Sequence, residues 1–329
     1  MKNDASIAVT SRSFSRHPVL REELLERYSN VRFNDEGLAL EGEQLIAYVR
    51  GCKKLITALE KVDESFLAVL PELEVISKYG VGTDMLDKEA MVRHGVRLGW
   101  EGGVNRRSVS ELALGFMLAM LRVTPLANRE IRKGIWKSRK GHSLSDRTVG
   151  IIGCGHIGKD LVGLLRAFGC KVLSHDVLDF PDFYALNNVT PTGLHELLST
   201  SDIVTLHVPL DESTRNILSA ERLAMMKPDA MLINTARGGL VDEVALKGLL
   251  QDNRLGGAAF DVFAEEPPTD TDLLMLPNFF ATPHVGGSSE EGILAMGRAA
   301  IRGLDFNSLP VSEQQGINEP VTSQRYGSK

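Results

Sequence analysis

Three segments of the chain concentrate side chains able to do chemistry together. They are Ile233-Asn-Thr-Ala-Arg237-Gly-Gly, Ala259-Phe-Asp261-Val-Phe-Ala-Glu265-Glu266-Pro267-Pro268 and Ala281-Thr-Pro-His284-Val-Gly-Gly. A guanidinium offers a rigid fork of donors for a planar carboxylate. A histidine exchanges a proton near neutral pH. A carboxylate bonded to that histidine fixes its orientation and favours the imidazolium, and Glu265 and Glu266 are both candidates for it. Each segment follows a short apolar run that reads as a strand. In open α/β sheets ligands bind beyond the carboxyl ends of strands, so all three segments can face one crevice.

A second constellation is Gly153-Cys-Gly155-His-Ile-Gly158, a GxGxxG pattern. The buried strand pattern Val149–Ile152 runs into it and the helical pattern Ile157–Phe168 runs out. A second strand pattern, Val172–His175, ends at Asp176, eighteen residues past Gly158. Gly153 allows the tight turn, Gly155 lets the backbone approach a pyrophosphate, and Gly158 lets helix pack on strand. The helix start, with the backbone of His156 and Ile157, offers N–H groups and a positive dipole end to phosphates. Asp176 accepts hydrogen bonds from ribose hydroxyls and repels a 2′-phosphate, which favours NAD over NADP. His175 reads as a strand-end surface residue. A nicotinamide cofactor beside Arg237, a glutamate and His284 matches interconversion of a 2-hydroxy acid and a 2-keto acid.

The elements that must position these groups alternate almost throughout. Ile7–Thr10, Val31–Asn34, Leu55–Leu59, Val75–Tyr79 and Val96–Gly99 read as strands. Pro18–Tyr28, Glu43–Arg50, Glu64–Leu70 and Met85–Arg93 read as the helices between them. A long helical pattern runs from Ser108 to about Lys133, with a capping-box start at Ser108 and Glu111. Its stretch Leu112–Leu121 is apolar nearly all round, which suits the core, a domain junction or a subunit interface. The rhythm then restarts with strands at Thr148–Gly153, Lys171–His175, Ile203–Val208, Ala230–Asn234, Ala258–Val262 and Phe279–Thr282. Ser288–Leu304 is a last long helix, and the tail from Pro310 looks loosely held. The pattern predicts an α/β fold with parallel sheets.

With 329 residues the chain is long enough for two domains at about 150 residues each. Apolar residues make up 43% and charged residues 24%, which excludes a disordered or fibrous chain. The net charge of −6 opposes nucleic-acid binding, which needs concentrated positive charge. Cys52, Cys154 and Cys170 form no CxxC pair, so no metal site is expected and a reducing, cytoplasmic compartment fits. No run is long enough to span a membrane, and the start lacks a signal core.

Several further segments follow a recognisable order: Lys78-Tyr-Gly-Val-Gly82-Thr-Asp, Asn105-Arg-Arg-Ser-Val-Ser-Glu111 and His207-Val-Pro209-Leu join those above. Together, from about residue 50 to 300, the chain resembles the D-isomer-specific 2-hydroxyacid dehydrogenase family, most closely its phosphoglycerate-dehydrogenase-like branch. The resemblance implies that Arg237 holds the substrate carboxylate and carbonyl, that His284 is the general acid/base and that Glu266 is its partner. It implies that backbone around Val81 and Gly82 also receives the carboxylate. Thr235, Ala236 and Asp261 would lie near the nicotinamide, Val208 and Pro209 would flank the adenine, Thr214 would approach the phosphates, and His207 would be a further cofactor contact. Arg237, His284 and Gly286 would complete the cofactor contacts. It implies two doubly wound Rossmann-like domains. The cofactor domain, residues 100–286, is inserted into a substrate domain made of 1–99 and 287–329. A homodimer is implied too.

One departure bears on the substrate. The phosphoglycerate enzymes carry an Arg-Ser stretch where this chain reads Thr57-Ala-Leu-Glu60-Lys61. Glu60 would repel a phosphate and Lys61 attract one. Arg12, Arg16, His17, Trp100 and Arg106 are replacement candidates. The chain ends soon after the last helix, so feedback through a C-terminal regulatory domain is not expected. The same scaffold also serves non-catalytic NAD(H)-sensing proteins, which keep the same residues.

Overall fold

Strands buried on both faces need helices on both sides, and that requirement organises the chain. In a computed structural model, which describes residues 2–310, the first such sheet has five strands. They are β1 (Ile7–Val9), β2 (Val31–Phe33), β3 (Lys54–Thr57), β4 (Val75–Lys78) and β5 (Arg97–Gly99). All pair in parallel, in the order β2-β1-β3-β4-β5. Ala8, Leu55 and Ile76 are fully buried on it. The helix Glu290–Gly303 returns to this sheet, where Ser77 Oγ donates to Ala300 O at 2.6 Å and Lys54 Nζ to Leu304 O at 2.6 Å. Among the described residues the unit comprises the chain up to Glu101 and from Leu294 to Pro310.

The second unit, Gly102–Ile293, lies between those two segments in sequence. Its strands are β6 (Thr148–Ile152), β7 (Lys171–His175), β8 (Val189–Pro191), β9 (Ile203–Leu206), β10 (Met231–Asn234), β11 (Gly257–Phe260) and β12 (Phe279–Ala281). The order is β12-β11-β10-β9-β6-β7-β8, parallel throughout. It reverses between β6 and β9, the doubly wound order that opens a crevice at the switch point. The α/β class read from the alternating pattern therefore holds, in both units. β8 escapes the pattern because it is a three-residue edge strand ending in proline, which only an edge tolerates.

The long helix expected from Ser108 to Lys133 is two helices, Arg106–Leu121 and Thr124–Arg132, bent by 64°. Pro125 cannot continue a helix, and Val123 turns left-handed at φ 56° to let the second begin. The expected capping box is also absent. Asn105 is the N-cap, and Ser108 lies inside the first turn with its hydroxyl on Gly286 O at 2.6 Å. The apolar stretch packs in the unit's own core through Ala113, Phe116, Met117 and Leu121. Among the described residues no single helix is long and apolar enough to cross a membrane. The tail beyond Pro310 lies outside the described residues.

Candidate active site

β6 runs into the glycine loop, and the helix His156–Arg166 starts from Gly155 with no side-chain cap on its first N–H groups. A Cβ on Gly158 would stand 2.2 Å from Gly153 O, so loop and helix approach as only glycine permits. A Cβ on Gly155 would meet nothing within 4 Å, which leaves space beside the uncapped amides. The His156 ring packs over Gly103 instead of facing that space. Asp176, just past β7, is tied to the loop: Oδ2 accepts from Cys154 N at 2.5 Å and Oδ1 from Leu178 N at 2.8 Å.

At the neighbouring strand ends two buried polar atoms lack a partner among the described residues, His207 Nδ1 and Thr235 Oγ1. Orphaned groups of this kind call for a ligand or water. With the open glycine cradle and the fixed Asp176, they fit a dinucleotide. Val208 and Pro209 follow β9. The Thr214 hydroxyl closes the next turn, donating to Pro209 O at 2.7 Å and accepting from Asp211 N at 2.8 Å.

His207 also makes a stability prediction. Its Nε2 sits 2.9 Å from Thr205 Oγ1, and burial pushes its pKa down from 6.5 to about 3. Between those values the unfolded chain binds a proton that the folded chain refuses. Stability should therefore fall as pH drops through that window, by up to about 1.4 kcal/mol per pH unit. His207→Asn should flatten the fall in urea midpoint between pH ~6.5 and ~4.5. An unchanged slope would show that another group excludes the proton.

The reactive set lies beyond β10, β11 and β12. After β10, the Asn234 side chain shapes the turn, its Nδ2 donating to Arg237 O at 2.8 Å and its Oδ1 accepting from Ala236 N at 3.1 Å. Arg237 Nη1 donates to Ala236 O at 2.7 Å. A Cβ on Gly238 would stand 1.8 Å from Phe263 O, so this turn is pressed against the loop after β11. In that loop Glu266 Oε1 accepts from Phe263 N at 3.1 Å, and Oε2 lies 2.8 Å from His284 Nδ1. Glu265 instead accepts from Thr269 Oγ1 at 3.3 Å.

His284 has φ 54°, a left-handed conformation uncommon for a residue with a side chain. Its N–H donates to Asp261 O at 2.8 Å. The Asp261 carboxylate, 1% exposed, accepts from Thr282 Oγ1 at 2.5 Å, Val285 N at 2.8 Å and Gly286 N at 2.7 Å. Neither this carboxylate cradle nor the Ser108 contact is signalled by local sequence pattern.

Arg106 opens the helix Arg106–Leu121 of the second unit and donates to Gly103 O at 3.3 Å, whereas the other candidates belong to the first unit. Val81 and Gly82 follow β4, and Trp100 Nε1 donates to Val81 O at 2.9 Å. Glu60 folds back on the end of β3, accepting from Thr57 Oγ1 at 2.8 Å and Ala58 N at 2.7 Å. Lys61 pairs with Asp63 at 3.0 Å. Arg16 lies against Gly37, and His17 caps the helix Pro18–Arg27.

The family profile described as "D-isomer specific 2-hydroxyacid dehydrogenase, NAD binding domain" matches residues 114–286. The chain is 36% identical over 282 residues to a D-3-phosphoglycerate dehydrogenase of Methanocaldococcus jannaschii, covering 84% of this chain and 54% of that protein. It is 38% identical over 263 residues to a glycerate dehydrogenase of Methylorubrum extorquens, covering 76% and 81%. Among solved structures, a glyoxylate reductase from Paecilomyes thermophila superposes with a TM-score of 0.81 at 25% identity, covering 92% and 94%. The chain belongs to the D-isomer specific 2-hydroxyacid dehydrogenase family, and residues 114–286 are its NAD-binding domain. It spans about half the length of the phosphoglycerate dehydrogenase it matches.

Proposed function

We propose that this protein is an NAD-dependent oxidoreductase that interconverts a small D-2-hydroxy acid and its 2-keto acid. The observation that carries this reading is the His284–Glu266 pair, 2.8 Å apart, set beyond the strand ends of an NAD-binding domain. When bound, the nicotinamide supplies or accepts the hydride at C2 of the acid. Arg237 grips the substrate carboxylate in its donor fork and polarises the carbonyl. With Nδ1 facing Glu266, the His284 Nε2 gives its proton to the carbonyl oxygen in reduction and takes it back in oxidation. Glu266 holds the ring in orientation through Nδ1. The uncapped amides at Gly155–Gly158 hold the pyrophosphate, with Asp176 on the ribose and Thr235 and His207 among the polar groups completing the cradle.

The relatives act, by their names, on glycerate and 3-phosphoglycerate, so both belong in the test. The experiment is the change in NADH absorbance with a panel of 2-keto acids, and NADH formation with D-glycerate and D-3-phosphoglycerate. No turnover across the panel would overturn the reading. Asp176 makes a separate prediction: NADH should bind at least about tenfold tighter than NADPH, roughly 1.4 kcal/mol. Equal affinities in titration calorimetry would remove Asp176 from the ribose site.

The working unit we propose is a cytoplasmic homodimer. Exposed Ile131 in the helix Thr124–Arg132, with exposed Ile135 and Trp136 just after it, supplies apolar surface for a second copy. The three free cysteines suit a reducing compartment.

A further inference from the structure

Three successive N–H groups of the loop after β12 point at one residue. His284 N reaches the Asp261 carbonyl at 2.8 Å, and Val285 N and Gly286 N reach its carboxylate at 2.8 and 2.7 Å. Successive amides of this kind form an anion-binding concavity, and here the anion is a side chain of the same unit. Thr282 Oγ1 adds a fourth donor. The loop is held from its other side as well. Ser108 Oγ donates to Gly286 O at 2.6 Å and accepts from Ser289 N at 3.4 Å. Between these two anchors sits His284 at φ 54°, a conformation that persists only where surroundings impose it.

We propose that Asp261 and Ser108 are positioning residues that set the His284 imidazole. They act through the backbone of the 282–286 loop, without touching the reacting atoms. This rests on the proposed role of His284. Its chemical basis is that a carboxylate only accepts. Asn at 261 would turn an NH2 group toward N–H donors and release part of the loop. Misplacing a catalytic group by about 1 Å costs on the order of 10²-fold.

The test uses Asp261→Asn, Ser108→Ala and His284→Asn, singly and combined, in the full chain. Asp261→Asn should lower kcat for the best keto acid by about 10–100-fold and Ser108→Ala by about 3–10-fold, with the NADH Kd of Ser108→Ala within about twofold of wild type. In the His284→Asn background both effects should shrink to about threefold or less, because residues acting through one group are not additive. The His284 ring resonance, assigned by its loss in His284→Asn, should shift or broaden in both variants. Should Asp261→Asn fail to fold, Ser108→Ala carries the same cycle and the same resonance. Losses that multiply in the double variants overturn the proposal. So does a weakened NADH Kd that accounts for the loss at Asp261, which would make it a cofactor contact. An unmoved ring resonance in a folded variant overturns it even if no acid is turned over. Absence of wild-type turnover, by contrast, overturns the proposed activity, and a positioning role for that reaction falls with it.

Discussion

Replacing His284 by asparagine is expected to slow keto-acid reduction by about 10²–10⁴-fold, the span of general acid–base catalysis. Asparagine is the informative choice because position 284 sits at φ 54°. Asn tolerates the left-handed region better than most residues, so the loop backbone is disturbed least. Its amide can still hydrogen-bond a carbonyl oxygen, but it cannot transfer a proton at neutral pH. NADH binding should stay within about twofold, so the loss should appear in kcat as well as kcat/KM. Single-turnover mixing of enzyme–NADH with the keto acid isolates the chemical step. A loss below about tenfold there would take His284 out of proton transfer.

Arg237→Lys should lower kcat/KM by about 10²-fold or more, again with NADH binding nearly unchanged. The variant keeps the positive charge, so it separates geometry from electrostatics. A guanidinium binds a carboxylate with two parallel donors, whereas an ammonium is a point charge on a flexible stem. The turn that presents Arg237 is shaped by Asn234 and pressed on Phe263 through Gly238. That rigidity makes the fork's direction specific. The check is steady-state kinetics with the identified acid, beside calorimetry with NADH. A variant within about threefold of wild type would mean that Arg237 contributes only charge.

Much of this was legible in the residues because it is local. A GxGxxG loop sits between a buried strand and a helix by short-range pattern alone, and Asp176 follows at the end of the next strand. Arg237 and His284 stand out as candidates because each lies three residues past the end of an apolar strand. The errors are local patterns overruled by neighbours. The periodicity after Ser108 continues past Leu121, yet Pro125 forbids one helix, and Val123 takes the turn. Ser108 and Glu111 have capping-box spacing, but Asn105 starts the helix and Ser108 is engaged by Gly286, 178 residues away.

The sequence by itself determined the class of fold, the cofactor loop and the kinds of group available for chemistry. These follow from hydrophobic period and from residue type, which need no knowledge of distant neighbours. Residue types alone leave two adjacent glutamates for one histidine. Only the folded chain brings Glu266 to 2.8 Å of His284 while Glu265 turns to Thr269. Only the folded chain seats the Asp261 carboxylate beneath the loop that carries the histidine. A hydrogen bond depends on distance and direction over a few tenths of an ångström. Those are set where the ends of separate strands meet, by close approaches such as Gly238 against Phe263 that no stretch of sequence contains.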